Sequence, residues 1–316
     1  MPSILFVKTS SLGDVIHHMP AVADVRHHSP DAHISWIVEE AYVPLVSLHP
    51  EVNEIIPVAT RRWRRHLGEA QTWREMRDFR ASIRRRPFDA IIDTQGLIRT
   101  AIMARLAAGP RHGYDRASIR EPLAARLYDV RHSISRDVHV IERNRLLTGR
   151  ALGFTPAGEP DYGLESPRSE VQRPYVLFFH STARLDKHWI VDRWIEVGQS
   201  LAALGLDIVL PWGTAEERAR SEQIAQEVPA AQIPDRRSVV ELCPVIGNAA
   251  LVVGVDTGLM HLAAALQTPL VGIFTGTSAV QAMPRGAGPI RVFGGRGQQP
   301  EVGEVLAAAR EMIAQH

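Results

Sequence analysis

The sequence predicts an α/β protein of two doubly wound domains facing a cleft, and three observations carry that prediction. Short apolar runs alternate with amphipathic stretches along most of the 316 residues, the pattern of a parallel sheet covered on both faces. The alternation lapses from Phe154 to Pro174, a stretch rich in Pro, Gly, Ser and Glu, which reads as a linker. It then resumes, and with 45% apolar residues a chain of this length fits two ordinary domains better than one. The expected bounds are 1–155 for the first domain, 156–174 for the linker, 175–299 for the second domain and 300–316 for a final helix.

In the first half, residues 3–7 read as a strand, 9–14 as a loop, and the amphipathic stretch to Arg26 as a helix. Residues 33–38, 54–58 and 90–93 read as further strands, with helices at 41–48, 72–85 and 100–108. In the second half, residues 175–179, 207–210, 251–255 and 270–274 read as strands. Helices alternate with them at 192–204, 215–227, 239–248 and 258–266, and 300–314 reads as the last helix. Open sheets of this kind bind ligands beyond the carboxyl ends of their strands, so the loops directly after strands hold the candidate residues.

Composition narrows the classes. Residues 1–7 lack the basic region, apolar core and cleavage pattern of a secretion signal. The longest apolar region, 249–274, is interrupted by Asp256, His261 and Gln267, so no spanning helix is expected. The single Cys243 rules out an internal disulfide framework and a multi-thiol metal site, and fits a reducing, cytoplasmic setting. The formal charge of +1 hides an asymmetry, since residues 61–150 hold 21 Arg against 10 acidic residues. That segment is built to meet anions. Of the 36 basic residues only Lys8 and Lys187 are lysines, which hints at sites that need a compact ammonium in place of a planar fork.

Five constellations carry possible chemistry. Lys8, Ser10, Ser11, Gly13 and Asp14 follow the first strand, and Asp14 reads either as a helix cap or as a general base for an acceptor hydroxyl. Ser181, Thr182 and Lys187 follow the first strand of the second half and suit a diphosphate, with Lys187 neutralising a leaving group. His180 and His188 beside them read as structural, since no carboxylate stands at metal-ligand spacing. Asp256, Thr257, Gly258 and His261 run from a strand end into a helix whose amides would face an anion; capping and packing are the ordinary alternative. Trp212, Gly213 and Glu217 offer a surface for a base and an acid for ribose hydroxyls, or merely a favourable first helical turn. Arg61, Arg62 and Arg64, with Arg120, suit a polyanionic acceptor or an anionic bilayer, whereas a nucleic-acid partner is weakly supported. No Gly-x-Gly-x-x-Gly follows a strand, which argues against a nicotinamide-dependent enzyme.

Taken in order, Lys8 to Asp14, Arg61-Arg62-Trp63-Arg64, Arg120-Glu121-Pro122-Leu123, Asp186-Lys187-His188-Trp189, Pro211-Trp212-Gly213 and Val255-Asp256-Thr257-Gly258-Leu259 with His261 resemble the lipopolysaccharide heptosyltransferase I family over nearly the whole chain. The resemblance implies two Rossmann-like domains in the GT-B arrangement, with the last helix packing back on the first domain. It implies inverting transfer of L-glycero-D-manno-heptose from an ADP donor to Kdo on lipid A, without metal or cofactor, at the cytoplasmic face of the inner membrane. Asp14 then matches the base. Thr182, Lys187, Glu217, Asp256, Gly258 and His261 match the donor site, and Lys8, Ser10, Arg61, Arg62, Arg64 and Arg120 match acceptor positions. Ala183 departs from the family, where a second Thr often stands, and so removes one phosphate hydrogen bond. The rival readings are an enzyme adding the next heptose and a nucleotide-sugar-binding protein without turnover.

Overall fold

The computed structural model describes residues 1–165, 173–182, 184–276 and 283–315. It divides into two compact units, Met1–Gly163 and Leu164–His316.

The first unit is a parallel sheet of Ser3–Val7 (β1), His33–Glu39 (β2), Glu54–Val58 (β3), Ala90–Asp93 (β4), Arg111–Tyr114 (β5) and Val130–His132 (β6), in the order β3-β2-β1-β4-β5-β6. Its centre is the most apolar part. Ile4, Leu5, Phe6 and Val7 are all buried because β1 has a partner on each edge and helices on each face. The covering helices are Leu12–Ile16 (α1), Met19–His28 (α2), Val43–Val46 (α3), Thr60–Arg65 (α4), Ala70–Ser82 (α5), Ile98–Leu106 (α6) and Val140–Leu152 (α7). The stretch 41–48 is shorter as a helix than its periodicity predicts. Pro44 stands at the start of α3, and a 3-10 turn, Glu40–Tyr42, precedes it.

Residues 61–65 form α4, not a loop. Trp63 is the reason, since it is buried against Phe79 with ring centroids 6.1 Å apart and donates from Nε1 to Glu75 Oε2 at 2.7 Å. The first unit also extends past residue 155. Arg145, only 2% exposed, forms a paired contact with Asp24 at 2.8 and 3.0 Å and donates to the carbonyls of Ala157 and Gly158 at 2.8 and 3.0 Å. One buried guanidinium therefore fastens α7 to α2 and draws the next segment into the unit.

The second unit repeats the plan with Tyr175–Phe179 (β7), Asp207–Val209 (β8), Ala231–Gln232 (β9), Leu251–Val255 (β10), Leu270–Phe274 (β11) and Ile290–Gly294 (β12), ordered β12-β11-β10-β7-β8-β9. Helices Val191–Ala202 (α8), Ala215–Glu227 (α9), Val239–Gly247 (α10) and Gly258–Ala265 (α11) connect its strands. The last helix, Val302–Ala314, places Val302, Val305, Ala308, Ala309 and Met312 in the same core as α8 and β10. Its apolar face therefore belongs to the core of the second unit. Read within each unit, both strand orders are the doubly wound order 3-2-1-4-5-6, whose switch point lies between the first and fourth strands. Those pairs are β1 with β4 and β7 with β10.

Candidate active site

The first unit places Lys8, Ser10, Ser11 and Asp14 directly after β1, at the β1/β4 switch point. Lys8 follows β1 and is 3% exposed; its Nζ donates to Thr94 O at 3.1 Å and stands 3.9 Å from Asp14 Oδ1. Burial pushes the Lys8 ammonium below its usual pKa, Asp14 and Asp93 oppose that shift, and Arg143 and Arg120 assist it. Lys8, Asp14 and Arg120 thus share one electrostatic neighbourhood.

Asp14 sits in the first turn of α1 and is not its N-cap. Ser11 holds the cap position, and its amide and hydroxyl donate to Asp14 Oδ2 at 2.9 and 3.2 Å. These bonds fix the carboxylate through one oxygen, while its side chain remains 32% exposed. Ser10 is buried and its Oγ accepts from Arg99 at 3.0 Å.

Gln95 and Arg99 are additions that sequence reasoning missed. Gln95 Oε1 accepts from the amides of Thr9 and Ser10 at 2.9 and 3.2 Å, and its Nε2 donates to Ser10 O at 2.5 Å. Gly96, at φ +69°, then turns the chain in a conformation that glycine tolerates. The signal was present, because Gln95 lies just beyond the end of β4, the strand beside β1.

The arginine candidates have separate fates. Arg61 donates its amide to Glu39 Oε1 at 3.0 Å and leaves its side chain exposed. Arg62 pairs with Glu40 and Glu75, each at 2.9 Å, and these carboxylates raise its pKa further. It is engaged within the protein. Arg64 and Arg120 are exposed.

The second unit places Ser181, Thr182, Lys187, Asp256, Thr257, Gly258 and His261 after β7 and β10, at the switch point, and Trp212, Gly213 and Glu217 after β8. Lys187 Nζ stands 2.7 Å from Asp256 Oδ2, with side-chain exposures of 17% and 9%. Thr182 Oγ1 donates to Asp256 O at 3.1 Å, so the loop after β7 is tied to the loop after β10. Ser181 Oγ contacts His180 Nδ1 at 2.8 Å, and His180 Nε2 contacts Ser221 Oγ at 2.9 Å. Burial, with Arg220 nearby, pushes His180 down to about 3. A neutral imidazole with two hydroxyl partners is structural, as the sequence reading has it. Ala183 lies outside the described residues.

Thr257 precedes α11 and its side chain makes no capping bond; helix starts present backbone amides that favour anions. His261 is buried one turn into α11. Trp212 donates from Nε1 to Pro234 O at 2.9 Å, and the Arg218 guanidinium lies 5.1 Å from its ring centre. Glu217 Oε2 accepts from the amides of Gly213 and Thr214 at 2.6 and 3.2 Å. The helix-start reading of Glu217 therefore holds for that oxygen. Among the described residues no three His, Cys, Asp or Glu side chains cluster as metal ligands.

The model of Glycosyltransferase family 9 (heptosyltransferase) matches residues 76–308. The lipopolysaccharide heptosyltransferase 1 of Salmonella typhimurium is 39% identical over 277 residues, covering 86% of this chain and 87% of its own. The solved Escherichia coli heptosyltransferase WaaC with ADP superposes with a TM-score of 0.91 at 34% identity, over 98% of this chain and 99% of that one. The same enzyme with ADP-2-deoxy-2-fluoro heptose gives 0.86 at 35% identity, over 99% of both. Fold and site together define a glycosyltransferase of two Rossmann-like units. The chain belongs to glycosyltransferase family 9, the heptosyltransferases.

Proposed function

We propose that this enzyme transfers L-glycero-D-manno-heptose from its ADP donor to the Kdo residue of Kdo-lipid A, with inversion at the anomeric carbon. The observation that carries the reading is the Lys187–Asp256 pair beside the start of α11. It sets a cation and the positive end of a helix where a leaving diphosphate gathers charge. The names of the relatives supply the sugar: those proteins are lipopolysaccharide heptosyltransferases, one solved with ADP and with an ADP-heptose analogue.

In this account the second unit holds the ADP moiety. Ser181, Thr182 and Lys187 meet the phosphates, and Asp256, Thr257, Gly258 and His261 complete that pocket. Trp212, Gly213 and Glu217 meet the adenosine, and the second oxygen of Glu217 takes the ribose hydroxyl. The first unit holds the acceptor through Lys8, Ser10, Ser11, Arg61, Arg64 and Arg120, with Arg62 requiring release from Glu40 and Glu75. Asp14 removes the proton of the Kdo hydroxyl as that oxygen bonds to the anomeric carbon and the bond to the diphosphate breaks. The ammonium of Lys187 and the α11 amides then carry the charge left on ADP.

No described helix is long and apolar enough to cross a membrane. The exposed arginines support peripheral association with the cytoplasmic face of the inner membrane, where a lipid acceptor would be met. Incubation with ADP-heptose and Kdo-lipid A tests the proposal. The expected result is ADP release with a gain of one heptose on the lipid. Transfer only to an acceptor that already bears heptose would assign the enzyme to the next step instead, and binding without ADP release would leave a nucleotide-sugar-binding protein.

A further inference from the structure

Helix α4 carries Arg61, Arg62 and Arg64, and its start is electrostatically unfavourable. Ala59 stands at the cap position and has no side chain that could accept a hydrogen bond. Arg61 and Arg62 then bring positive charge to the end of a helix that is already positive. An acceptor and a negative charge at this end have to come from elsewhere in the chain.

Glu39, the last residue of β2, supplies both. Its Oε1 accepts from the Arg61 amide at 3.0 Å, and its Oε2 accepts from Thr60 Oγ1 at 2.7 Å. The residue is only 3% exposed, so water competes little for these bonds. Its own amide donates to Thr9 O at 3.1 Å, and Thr9 belongs to the loop that leads from Lys8 to Asp14. One buried residue thus holds the arginine helix by its side chain and the loop of the proposed base by its backbone.

We infer that Glu39 is a positioning residue of the transfer reaction. Its carboxylate fixes Arg61 and the rest of α4 in place relative to the loop of Asp14, and so governs how firmly the anionic sugar acceptor is held. The inference rests on the proposed binding of an acidic acceptor by Arg61 and Arg64. Glu39 acts only through the helix it anchors. Because the bond to Thr9 is made by the backbone, a change of side chain loosens α4 and leaves the base loop tied.

Initial-rate kinetics with Kdo-lipid A, beside calorimetric titration with ADP, test it. Glu39→Leu removes both side-chain bonds and should raise KM for the acceptor about tenfold or more, the scale of misplacing a positioned group. Its kcat should stay within about threefold and its ADP affinity within about twofold of wild type. Glu39→Gln keeps an oxygen for the Arg61 amide and should recover part of the loss. Thr60→Val removes one bond conservatively and should raise the same KM about threefold, which keeps the test decisive if Glu39→Leu fails to fold. A double-mutant cycle with Arg61→Ala, which retains the amide, separates placement from general destabilisation. Arg61→Ala should raise acceptor KM less in the Glu39→Leu background, or in Thr60→Val, than in the wild type. Independent effects in that cycle would overturn the inference, as would Glu39→Gln no better than Glu39→Leu, or an equal loss of ADP affinity. A wild-type acceptor KM in Arg61→Ala would instead remove Arg61 from the acceptor site, and this inference with it.

Discussion

The Lys187 ammonium and the Asp256 carboxylate stand 2.7 Å apart, joining the two strand-end loops of the second unit in a largely buried pair. A diphosphate arriving there offers Lys187 a second anion and need not displace the first. Lys187→Met should therefore weaken ADP binding by roughly 10- to 100-fold, the loss of a charged hydrogen bond, with a further fall in kcat. Lys187→Arg should recover little, because a planar fork does not replace a compact ammonium. Calorimetric titration with ADP reads both, and wild-type affinity in Lys187→Met would remove the residue from the donor site.

Gln95 binds the first loop by its backbone through three hydrogen bonds. Gln95→Leu keeps the volume and removes all three. The expected outcome is a fall in kcat of about tenfold or more as Asp14 loses its placement, with ADP affinity unchanged. A shift confined to the KM of ADP-heptose would contradict this positioning role.

His180 links stability to pH. Its pKa is pushed from 6.5 to about 3 by burial, so below about pH 6.5 the unfolded chain takes up a proton that the folded chain refuses. The contribution is complete above pH 6.5 and is lost as pH falls toward 3. At about 1.4 kcal/mol per pH unit, the loss by pH 4 is on the order of 3 kcal/mol. Melting curves from pH 7 to 4 should fall less steeply for His180→Asn than for the wild type. Parallel curves would show that His180 does not resist protonation.

Arg145 is nearly inaccessible and holds Asp24 by two contacts. Arg145→Met leaves the largely shielded Asp24 carboxylate, 12% exposed, without its partner and should destabilise the first unit by about 3 kcal/mol. Adding Asp24→Asn should restore part of that loss. Urea unfolding measures both changes, and full additivity of the two substitutions would deny the coupling.

Much of this could be read in the sequence because the central strands are buried on both faces and therefore apolar. Residues 90–93, 175–179, 251–255 and 270–274 form strands at the expected bounds, and so does the edge strand 54–58, whose Ile56 and Val58 are buried. Strands β5, β6, β9 and β12, away from the sheet centres, were not readable. β5 and β6 carry Arg and His on half-open edges, and β9 is two residues long. The strand-end rule found Lys8, Asp14, Lys187 and Asp256 because they directly follow or lie near the ends of buried strands. It passed over Gln95, whose strand was assigned but whose loop has no charge. Helix α4 was passed over, since a run of arginines reads as an anion-binding segment and only its one buried ring, Trp63, marks it as anchored to the core.

The central claim is that Asp14 acts on the acceptor while donor affinity resides elsewhere, and Asp14→Asn tests it most directly. The amide side chain can still accept from Ser11, so the loop should keep its form. The measurement pairs turnover of ADP-heptose and Kdo-lipid A with the dissociation constant for ADP. The account predicts a fall in kcat of about 10²- to 10⁴-fold with ADP affinity within about threefold of wild type. Near-normal turnover in Asp14→Asn would contradict it.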